Sequence, residues 1–320
     1  MTLRAPEVVV VGAGVIGLTT AVCLAECGRR VEVRTEVEPA QTTSAVASAM
    51  IGPAIAPPDS QVGRWERASV AQFSLLAEQE NSGVTVRRGR LTARERLPPP
   101  PGDFPECGPG ELPPGFAVGY WATLPLVDMV PYLEYLAARL AAAGGRIEMS
   151  HVASLREVAD EVSLIVNCAG LGARELAEDD SVTAVRGQHV IVENPGIEEF
   201  FIEAPFAPEW AAYWPYPDHV VLGGSSNPGD ASTEPDLELA ERIVQRCVEV
   251  EPRLRHARVR GHQVGLRPGR SSPRLDAEQL GGARCVHSYG HGGSGVTHSW
   301  GAAVDAAEQL LKEKGDRAAR

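Results

Sequence analysis

The spacing of hydrophobic and polar residues at the ends of this chain differs from the spacing in its middle. Residues 7–11 (Glu-Val-Val-Val-Val) and Ser163 to Cys168 form short, nearly continuous apolar runs, as expected of strands buried on both faces of a parallel sheet. Helical spacing follows the first run from Val15 to Cys27, and residues 30–35 predict the next strand. The first 36 residues therefore predict a strand–helix–strand unit.

The middle of the chain alternates between apolar and polar positions, which is typical of antiparallel strands with one exposed face. Proline and glycine interrupt this pattern over residues 97–115, which predicts an exposed connector. Further strands are predicted at 84–96, 183–193, 211–223, near 257–267 and at 284–289, and helices at 64–80, 128–143, 236–250 and from about Ser294 to Lys314. The whole pattern predicts an α/β protein in which a nucleotide-binding domain, assembled from separate stretches, is interrupted twice by a second domain.

Charge and cysteine content narrow the functional classes. Asp and Glu outnumber Lys and Arg by 42 to 30, and the net charge of −12 disfavours nucleic acid and anionic membrane surfaces as partners. No stretch approaches the ~20 apolar residues of a membrane span. Neither a signal peptide nor a peroxisomal Ser-Lys-Leu ending is recognisable, which predicts a cytoplasmic protein. The six cysteines form no Cys-x-x-Cys pair, so reduced thiols are expected rather than disulfides or a zinc site.

A glycine motif follows the first predicted strand and opens the first predicted helix. Its six residues are Gly12, Ala13, Gly14, Val15, Ile16 and Gly17. The spacing Gly-x-Gly-x-x-Gly allows a tight turn, a close approach to a pyrophosphate and tight packing of helix on strand. Glu36, at the end of the second predicted strand, is placed to accept a hydrogen bond from a ribose hydroxyl. The motif predicts a dinucleotide site but does not separate FAD from NAD.

A second glycine cluster lies near the carboxyl end, where residues 287–301 read HSYGHGGSGVTHSWG. A predicted strand ends in these glycines and the last predicted helix begins, which creates another cradle of backbone N–H groups. The positive end of such a helix would stabilise negative charge on a reduced flavin, a charge that nicotinamide does not carry. His287 and His291 could suggest a metal pair, but the glycines break the helical face that it would need, so no metal site is predicted.

With these motifs in view, the sequence resembles the D-amino-acid oxidase family over nearly its whole length. The resemblance is carried by Val8–Thr20 (VVVVGAGVIGLTT), Thr42–Met50 (TTSAVASAM), Val166–Gly170 (VNCAG), Arg186–Gln188 (RGQ), Gly265–Pro268 (GLRP) and Tyr289–Thr297 (YGHGGSGVT). It implies a Rossmann-like FAD-binding domain formed by residues 1–52, 141–185 and 262–320. An α+β substrate-binding domain with a mixed or antiparallel sheet would comprise residues 53–140 and 186–261.

The resemblance also implies that FAD is bound non-covalently. In the family, the loop matching Thr42–Met50 passes the pyrophosphate and the flavin ring, two further positions line the adenosine, and the second glycine cluster holds the pyrimidine edge of the flavin. Besides the glycine motif and Glu36, the implied FAD-binding residues are Thr42, Thr43, Ser44, Ala49, Met50, Val152, Ala169, Gly292, Gly293, Ser294, Gly295, Val296 and Thr297.

By the same resemblance, Arg267 and Tyr213 bind the substrate carboxylate, and the carbonyl group of Gly293 accepts a hydrogen bond from the amino group. A guanidinium group binds a carboxylate through two parallel hydrogen bonds and stays charged. The Cα hydrogen would leave as hydride toward flavin N5, and O2 would reoxidise the flavin to give H2O2; no acid or base residue is required. From the residues alone, Arg267 could be a surface arginine and Tyr213 a core aromatic, and Tyr216 competes for the same role.

The sequence departs from the family near the substrate. Residues 202–213 match a segment that forms an active-site lid in mammalian members. The segment is shorter here and lacks the lid tyrosine, so either Trp210 partly takes its place or the site is open. Ser294 occupies a position where the mammalian enzymes have tyrosine, and Glu36 replaces the usual aspartate. Whether residues 202–213 act as a lid stays open at this point.

Neutral, hydrophobic D-amino acids are the expected substrates, because residues 194–218 contain five carboxylates and no Lys, Arg or His. D-aspartate oxidase, which shares every motif, would need a cation there unless Arg64 or Arg67 reaches the site. A quinone-linked dehydrogenase would need contact with a membrane, which no basic amphipathic segment supports. A glycine or sarcosine oxidase and a non-catalytic flavoprotein stay open. The expected partners are a small D-amino acid and O2, and a homodimer stays open as the assembly.

Overall fold

The computed structural model describes residues 5–204 and 207–312. The strands of this part of the chain are β1 (Val8–Val11), β2 (Val31–Thr35), β3 (Ala49–Met50), β4 (Val84–Ala93), β5 (Val118–Val127), β6 (Arg146–Met149), β7 (Leu164–Asn167), β8 (Thr183–Glu193), β9 (Phe200–Glu203), β10 (Glu209–Pro215), β11 (His219–Ser225), β12 (Asn227–Pro228), β13 (Val259–Gly269), β14 (Arg274–Leu280) and β15 (Ala283–Tyr289). The helices are α1 (Val15–Glu26), α2 (Gln61–Leu76), α3 (Met129–Ala142), α4 (Leu155–Glu161), α5 (Ala173–Leu176), α6 (Leu237–Val250) and α7 (Gly295–Leu311).

Six strands form a first sheet in the order β14-β15-β7-β1-β2-β6, and all neighbours are parallel except β14 and β15. The four valines of β1 lie at the centre of this sheet and are at most 4% exposed. They are buried on both sides because α1 and α7 cover one face and α4 covers the other. The predicted parallel sheet with two covered faces is therefore confirmed, and its carboxyl edge carries the glycine motif.

A second sheet runs in the order β12-β8-β11-β10-β9-β4-β5-β3, with β13 paired to β8. It is mixed, as predicted, because β4 and β9 are parallel while β10 and its neighbours are antiparallel. Helix α6 covers one face, which we call the α6 face, through residues such as Leu239 and Cys247. The opposite face, which we call the inner face, carries an apolar cluster that includes Ala212 and Trp214 and packs against Met50.

Local signals explain where several helices begin and end. The Ser60 side chain accepts a hydrogen bond from the Gly63 N–H group at the start of α2, and Asp236 accepts one from Leu239 at the start of α6, both at 3.0 Å. Gly144, with a φ of 83°, follows α3 and ends it. No helix in the described parts of the chain is both long and apolar enough to cross a bilayer.

The packing differs from the predicted domain boundaries in two places. Helices α2 and α3 fall in the stretch 53–140 predicted for the substrate-binding domain, but Phe73 and Tyr132 pack in the core of the first sheet. Strand β13 continues in the second sheet to Gly269, beyond the boundary predicted at residue 262. The apolar face of a helix shows that it covers something, but not which sheet it covers.

Candidate active site

The glycine motif joins the carboxyl end of β1 to the start of α1. A Cβ atom at Gly12 would lie 2.5 Å from the carbonyl oxygen of Cys168, and one at Gly17 would lie 1.9 Å from that of Gly12. Gly14 caps α1 without a side-chain hydrogen bond, and no acidic residue stands in the first turn. The first turn therefore offers backbone N–H groups to an anion such as a pyrophosphate.

The loop of residues 42–50, called the 42–50 loop below, leads from the glycine motif to the second sheet. Its Ser44 hydroxyl accepts a hydrogen bond from the Val15 N–H group at 3.0 Å. At its other end, Met50 in β3 packs against the inner face. The loop thus connects the glycine motif with the second sheet. The other predicted FAD-binding residues along it are Thr42, Thr43 and Ala49.

The residues predicted for the adenosine side lie along the carboxyl edge of the first sheet. Glu36 follows β2, and its carboxylate contacts Nδ1 of His151, which follows the neighbouring strand β6. Val152 comes next in the chain, and Ala169 follows β7. Both are partly buried against the apolar cluster between the first sheet and α4. An adenosine bound to the glycine motif would extend along this edge.

The second glycine cluster forms a short 3₁₀ turn at Gly292–Ser294, from which α7 begins at Gly295. Gly292 has a φ of 54°, and a Cβ atom there would meet nothing within 4 Å. No acidic residue stands in the first turn of α7, which contains Val296 and Thr297. This turn therefore places the positive end of α7 at residues 292–297, where the sequence predicts that the flavin binds.

Two buried histidines flank this turn. The Nδ1 atoms of His291 and His298 are 3.3 Å apart, and both rings pack against Trp65. Burial lowers the pKa of His291 to about 3 and that of His298 to about 4, so both rings are neutral at neutral pH. His287 contacts Glu278 instead, at 2.9 Å. Residues 5–204 and 207–312 contain no group of three or more His, Cys, Asp or Glu side chains arranged to hold a metal.

Arg267 lies in β13 on the inner face of the second sheet. In register it pairs with Val185, and its guanidinium group fills the space beside Gly187, where a Cβ atom would lie 2.3 Å from Nη2. Nη1 donates a hydrogen bond to the carbonyl oxygen of Ser225 at 3.2 Å. From the first domain, Gly293 approaches so closely that a Cβ atom there would lie 3.5 Å from Cδ of Arg267. The structure thus brings Arg267 and Gly293 together, although 26 positions separate them in the chain.

The charge of Arg267 has no counterion in the described chain. The guanidinium group is partly buried and forms hydrogen bonds only with the carbonyl oxygens of Ser225 and Arg186 among the described residues. Burial lowers the pKa of Arg267, but an arginine stays charged at any working pH. Leaving a buried cation unpaired is unfavourable by several kcal/mol, so an anion is expected to bind beside it.

The structure corrects the predicted position of Tyr213. Its ring is fully buried on the α6 face, where it stacks on Phe201 at a centroid distance of 5.8 Å. Arg267 lies on the other side of the sheet, so Tyr213 does not contact a carboxylate bound there. A shift of one residue along a strand moves a side chain to the opposite face, and Ala212 and Trp214 face the inner side instead.

Tyr216, the rival of Tyr213 in the sequence, does belong to the inner-face cluster. Its hydroxyl group, however, donates a hydrogen bond to the carbonyl oxygen of Val127 at 3.0 Å and is fully engaged as a donor. Neither tyrosine therefore supplies a free hydroxyl donor beside Arg267. The stretch 202–213, outside residues 205 and 206, consists mainly of the ends of β9 and β10.

Two side chains on the same face of the sheet as Arg267, Trp214 and His189, were not predicted as site residues. His189 stands two positions after the glycine beside Arg267, and its ring centroid is 5.9 Å from that of Trp214. Trp210 joins them on this face and packs beside Gly224, where a Cβ atom would lie 2.4 Å from the indole ring. The alternation of side chains along β8 and β10 predicts which residues of each strand share one face of the sheet. Only the position of α6 shows which face is the inner one.

Comparisons with known proteins show which family the chain matches. A family model described as FAD dependent oxidoreductase matches residues 7–309. The D-amino-acid oxidase of Rubrobacter xylanophilus is 45% identical over 306 residues, which cover 93% of this chain and 94% of that protein. The D-amino-acid oxidase of Streptomyces coelicolor is 44% identical over 317 residues, which cover 95% of this chain and 96% of that protein.

The fold also matches a solved structure. Glycine oxidase from Geobacillus kaustophilus superposes with a TM-score of 0.82 over 98% of this chain and 96% of that chain, at 18% identity. At this identity the match concerns the arrangement of the two sheets and their helices. It therefore supports the predicted α/β fold class.

Proposed function

This chain belongs to the D-amino-acid oxidase family of FAD dependent oxidoreductases, and we propose that it oxidises neutral and hydrophobic D-amino acids with O2. In the proposed reaction a D-amino acid, O2 and water give a 2-oxo acid, ammonia and H2O2. The substrate loses its Cα hydrogen as hydride and one proton from nitrogen, and O2 takes up two electrons and two protons. Water then hydrolyses the imino acid to the 2-oxo acid and ammonia.

The uncompensated charge of Arg267 is the observation that carries this proposal. A planar guanidinium group beside a sheet, held by carbonyl oxygens and lacking a described carboxylate partner, is suited to a bidentate bond with a carboxylate. The substrates of amino-acid oxidation all bring a carboxylate. The carbonyl group of Gly293, close to Arg267, would accept a hydrogen bond from the substrate amino group, because no side chain obstructs it.

The side chain of the substrate would lie along the inner face, near Trp210 and Trp214. When the carboxylate, the amino group and the side chain are all held in place, the Cα hydrogen can point in only one direction. That direction is toward the cofactor for one enantiomer and away from it for the other. This chain supplies orientation and electrostatics, whereas FAD, when bound, supplies acceptance of the hydride and transfer of electrons to O2.

The residues present fit FAD. The glycines of the first motif allow α1 to pack closely on β1, and the turns at residues 12–17 and 292–297 each lead into a helix with no acidic residue in its first turn. The 42–50 loop connects these regions to the second sheet. We propose non-covalent binding, because His291 and His298 are engaged with each other and no cysteine occurs in residues 42–50 or 287–301.

Peroxide formation tests the proposed function directly. Protein reconstituted with FAD should release H2O2 and a 2-oxo acid in equal amounts from a panel of D-amino acids, and neither product from the matching L-amino acids. A protein that shows a flavin spectrum but releases no peroxide with any D-amino acid would contradict the proposal. A preference for glycine or sarcosine over all larger substrates would assign it to the other oxidase class.

We expect D-methionine or D-valine to be a better substrate than D-aspartate. Besides Arg267, an acidic side chain would need a second cation, and residues 194–218 contain none. Arg64 and Arg67 are exposed and hydrogen-bond to the backbone carbonyls of Asp59 and Pro58. Comparing kcat/KM for the three substrates checks this, and a higher value for D-aspartate would favour a D-aspartate oxidase.

Replacement of Tyr213 with phenylalanine tests the corrected placement of this residue. Because its hydroxyl lies on the α6 face, we expect kcat/KM to change by less than about threefold, which corresponds to the ±0.5 kcal/mol typical of changes away from a site. Steady-state kinetics with D-methionine measures this. A rise in KM of tenfold or more would show that Tyr213 does bind the substrate carboxylate.

A further inference from the structure

One polar side chain beside Arg267 has no part in the reaction described above. His189 lies in β8 on the inner face of the second sheet and is 7% exposed. The neighbouring residues Arg186 and Gln188 point to the other face, where they bond to carbonyl oxygens that precede α6. His189 therefore lies between the sheet that carries Arg267 and the domain that binds the dinucleotide.

The ring of His189 contacts the 42–50 loop at two points. Its Nε2 atom is 3.2 Å from the Ser48 hydroxyl oxygen, and the backbone of Val46 lies close enough to the ring to affect its pKa. The Val46 side chain packs so closely on β13 that a Cβ atom at Gly265 would lie 2.8 Å from it. Val46 thus fixes the loop to the second sheet. This contact is only two residues from Ser44, which bonds to Val15 of the glycine motif.

The chemistry of the ring suits a structural contact rather than proton transfer. Burial, together with the positive charge of Arg267, lowers the pKa of His189 to about 4, so the ring is neutral at neutral pH. A neutral imidazole has one donor and one acceptor. The Nε2 atom uses one of these in its contact with the Ser48 hydroxyl, and the neutral ring does not compete with Arg267 for an anion.

We propose that His189 is a positioning residue that sets the distance between the 42–50 loop and Arg267. It would thereby align the cofactor, bound along that loop, with the substrate carboxylate held by Arg267. This inference rests on the proposed function, because alignment matters only if both ligands bind where we place them. Small displacements have large effects in such a geometry, since about 1 Å of misplacement can slow a reaction roughly 100-fold.

Two variants remove the same contact from opposite sides. His189→Leu and Ser48→Ala should each retain FAD, lower kcat by roughly 10- to 100-fold, and leave KM for D-methionine within about threefold. Visible circular dichroism of the bound flavin should change in both. The double variant should be no more than about threefold slower than the slower single variant, because the two side chains act through one contact. His189→Gln, which keeps a donor and an acceptor, should recover part of kcat.

His256→Leu is the matched control, because His256 is exposed in the turn before β13 and should leave all these quantities unchanged. An unchanged flavin dichroism spectrum in both variants, or losses that multiply in the double variant, would overturn the proposal. If His189→Leu does not fold, Ser48→Ala decides by the same spectrum and kcat. If the wild-type protein oxidises no D-amino acid, the proposed function fails, whereas the flavin spectra still decide on His189.

Discussion

Replacement of Arg267 with leucine is expected to lower kcat/KM for D-amino acids by roughly 10²–10⁴ while FAD stays bound. The substrate carboxylate would then lie beside the sheet without its charged partner. Losing such a buried, bidentate pair typically costs about 3–5 kcal/mol, and each ~1.4 kcal/mol is a factor of ten in rate. The cofactor should remain, because the glycine motif and the other turns that we propose to bind FAD lie on the first sheet and in other loops.

Steady-state kinetics of Arg267→Leu, recorded beside its flavin spectrum, measures this effect. Arg267→Lys is a useful companion, because it keeps the positive charge but cannot form two parallel bonds, and we expect an intermediate loss. Normal kinetics in Arg267→Leu would remove Arg267 as the carboxylate anchor. Loss of flavin together with activity would instead assign Arg267 to the scaffold that holds the two domains.

Replacement of Gly17 with alanine should weaken FAD binding by roughly 30- to 150-fold. In an exposed helix, alanine is about 1 kcal/mol better than glycine. At this position, however, the new Cβ atom would lie 1.9 Å from the Gly12 carbonyl oxygen and 3.4 Å from Cβ of Cys168, so α1 must move away from β1. Overpacking of this kind costs about 1–3 kcal/mol, and at about 2–3 kcal/mol the dissociation constant rises by the stated factor.

Titration of the apoprotein with FAD, followed by flavin fluorescence, gives the dissociation constants. Gly282→Ala is the matched control, because a Cβ atom at Gly282 would meet nothing within 4 Å and its φ is not in the left-handed region. We expect wild-type affinity in this control. Equal affinities of Gly17→Ala and the wild-type protein would show that the contact between Gly17 and Gly12 does not position the phosphate-binding turn.

The sequence was sufficient where local signals define an element. The apolar run of β1, the glycines after it and the spacing of α1 lie within 20 residues, and each agrees with the others. The second glycine cluster was equally clear, because a strand, a turn and a helix follow one another directly. These elements were predicted within a few residues of their observed bounds.

The sequence was insufficient where a side chain's role depends on what packs behind its strand. Tyr213 and Trp214 are adjacent aromatic residues in one strand, and alternation shows only that they face opposite ways. The position of helix α6, more than 20 residues further along the chain, decides that Tyr213 lies on the α6 face and Trp214 on the inner face, which also carries Arg267. The role of His189 could not be predicted either, because its partners Ser48 and Arg267 are distant in the chain.

The order of strands in the first sheet has a consequence for biosynthesis. Its central strand β1 lies between β2 and β7, and β7 in turn pairs with β15, so the sheet is completed only by residues 283–289. A ribosome-bound chain that ends before this point lacks β15, the turn at Gly292–Ser294 and α7. Such nascent chains are therefore expected to expose the unpaired backbone edge of β7 and the apolar side chains that α7 covers, and to acquire stable FAD only after the last strand and helix have left the exit tunnel.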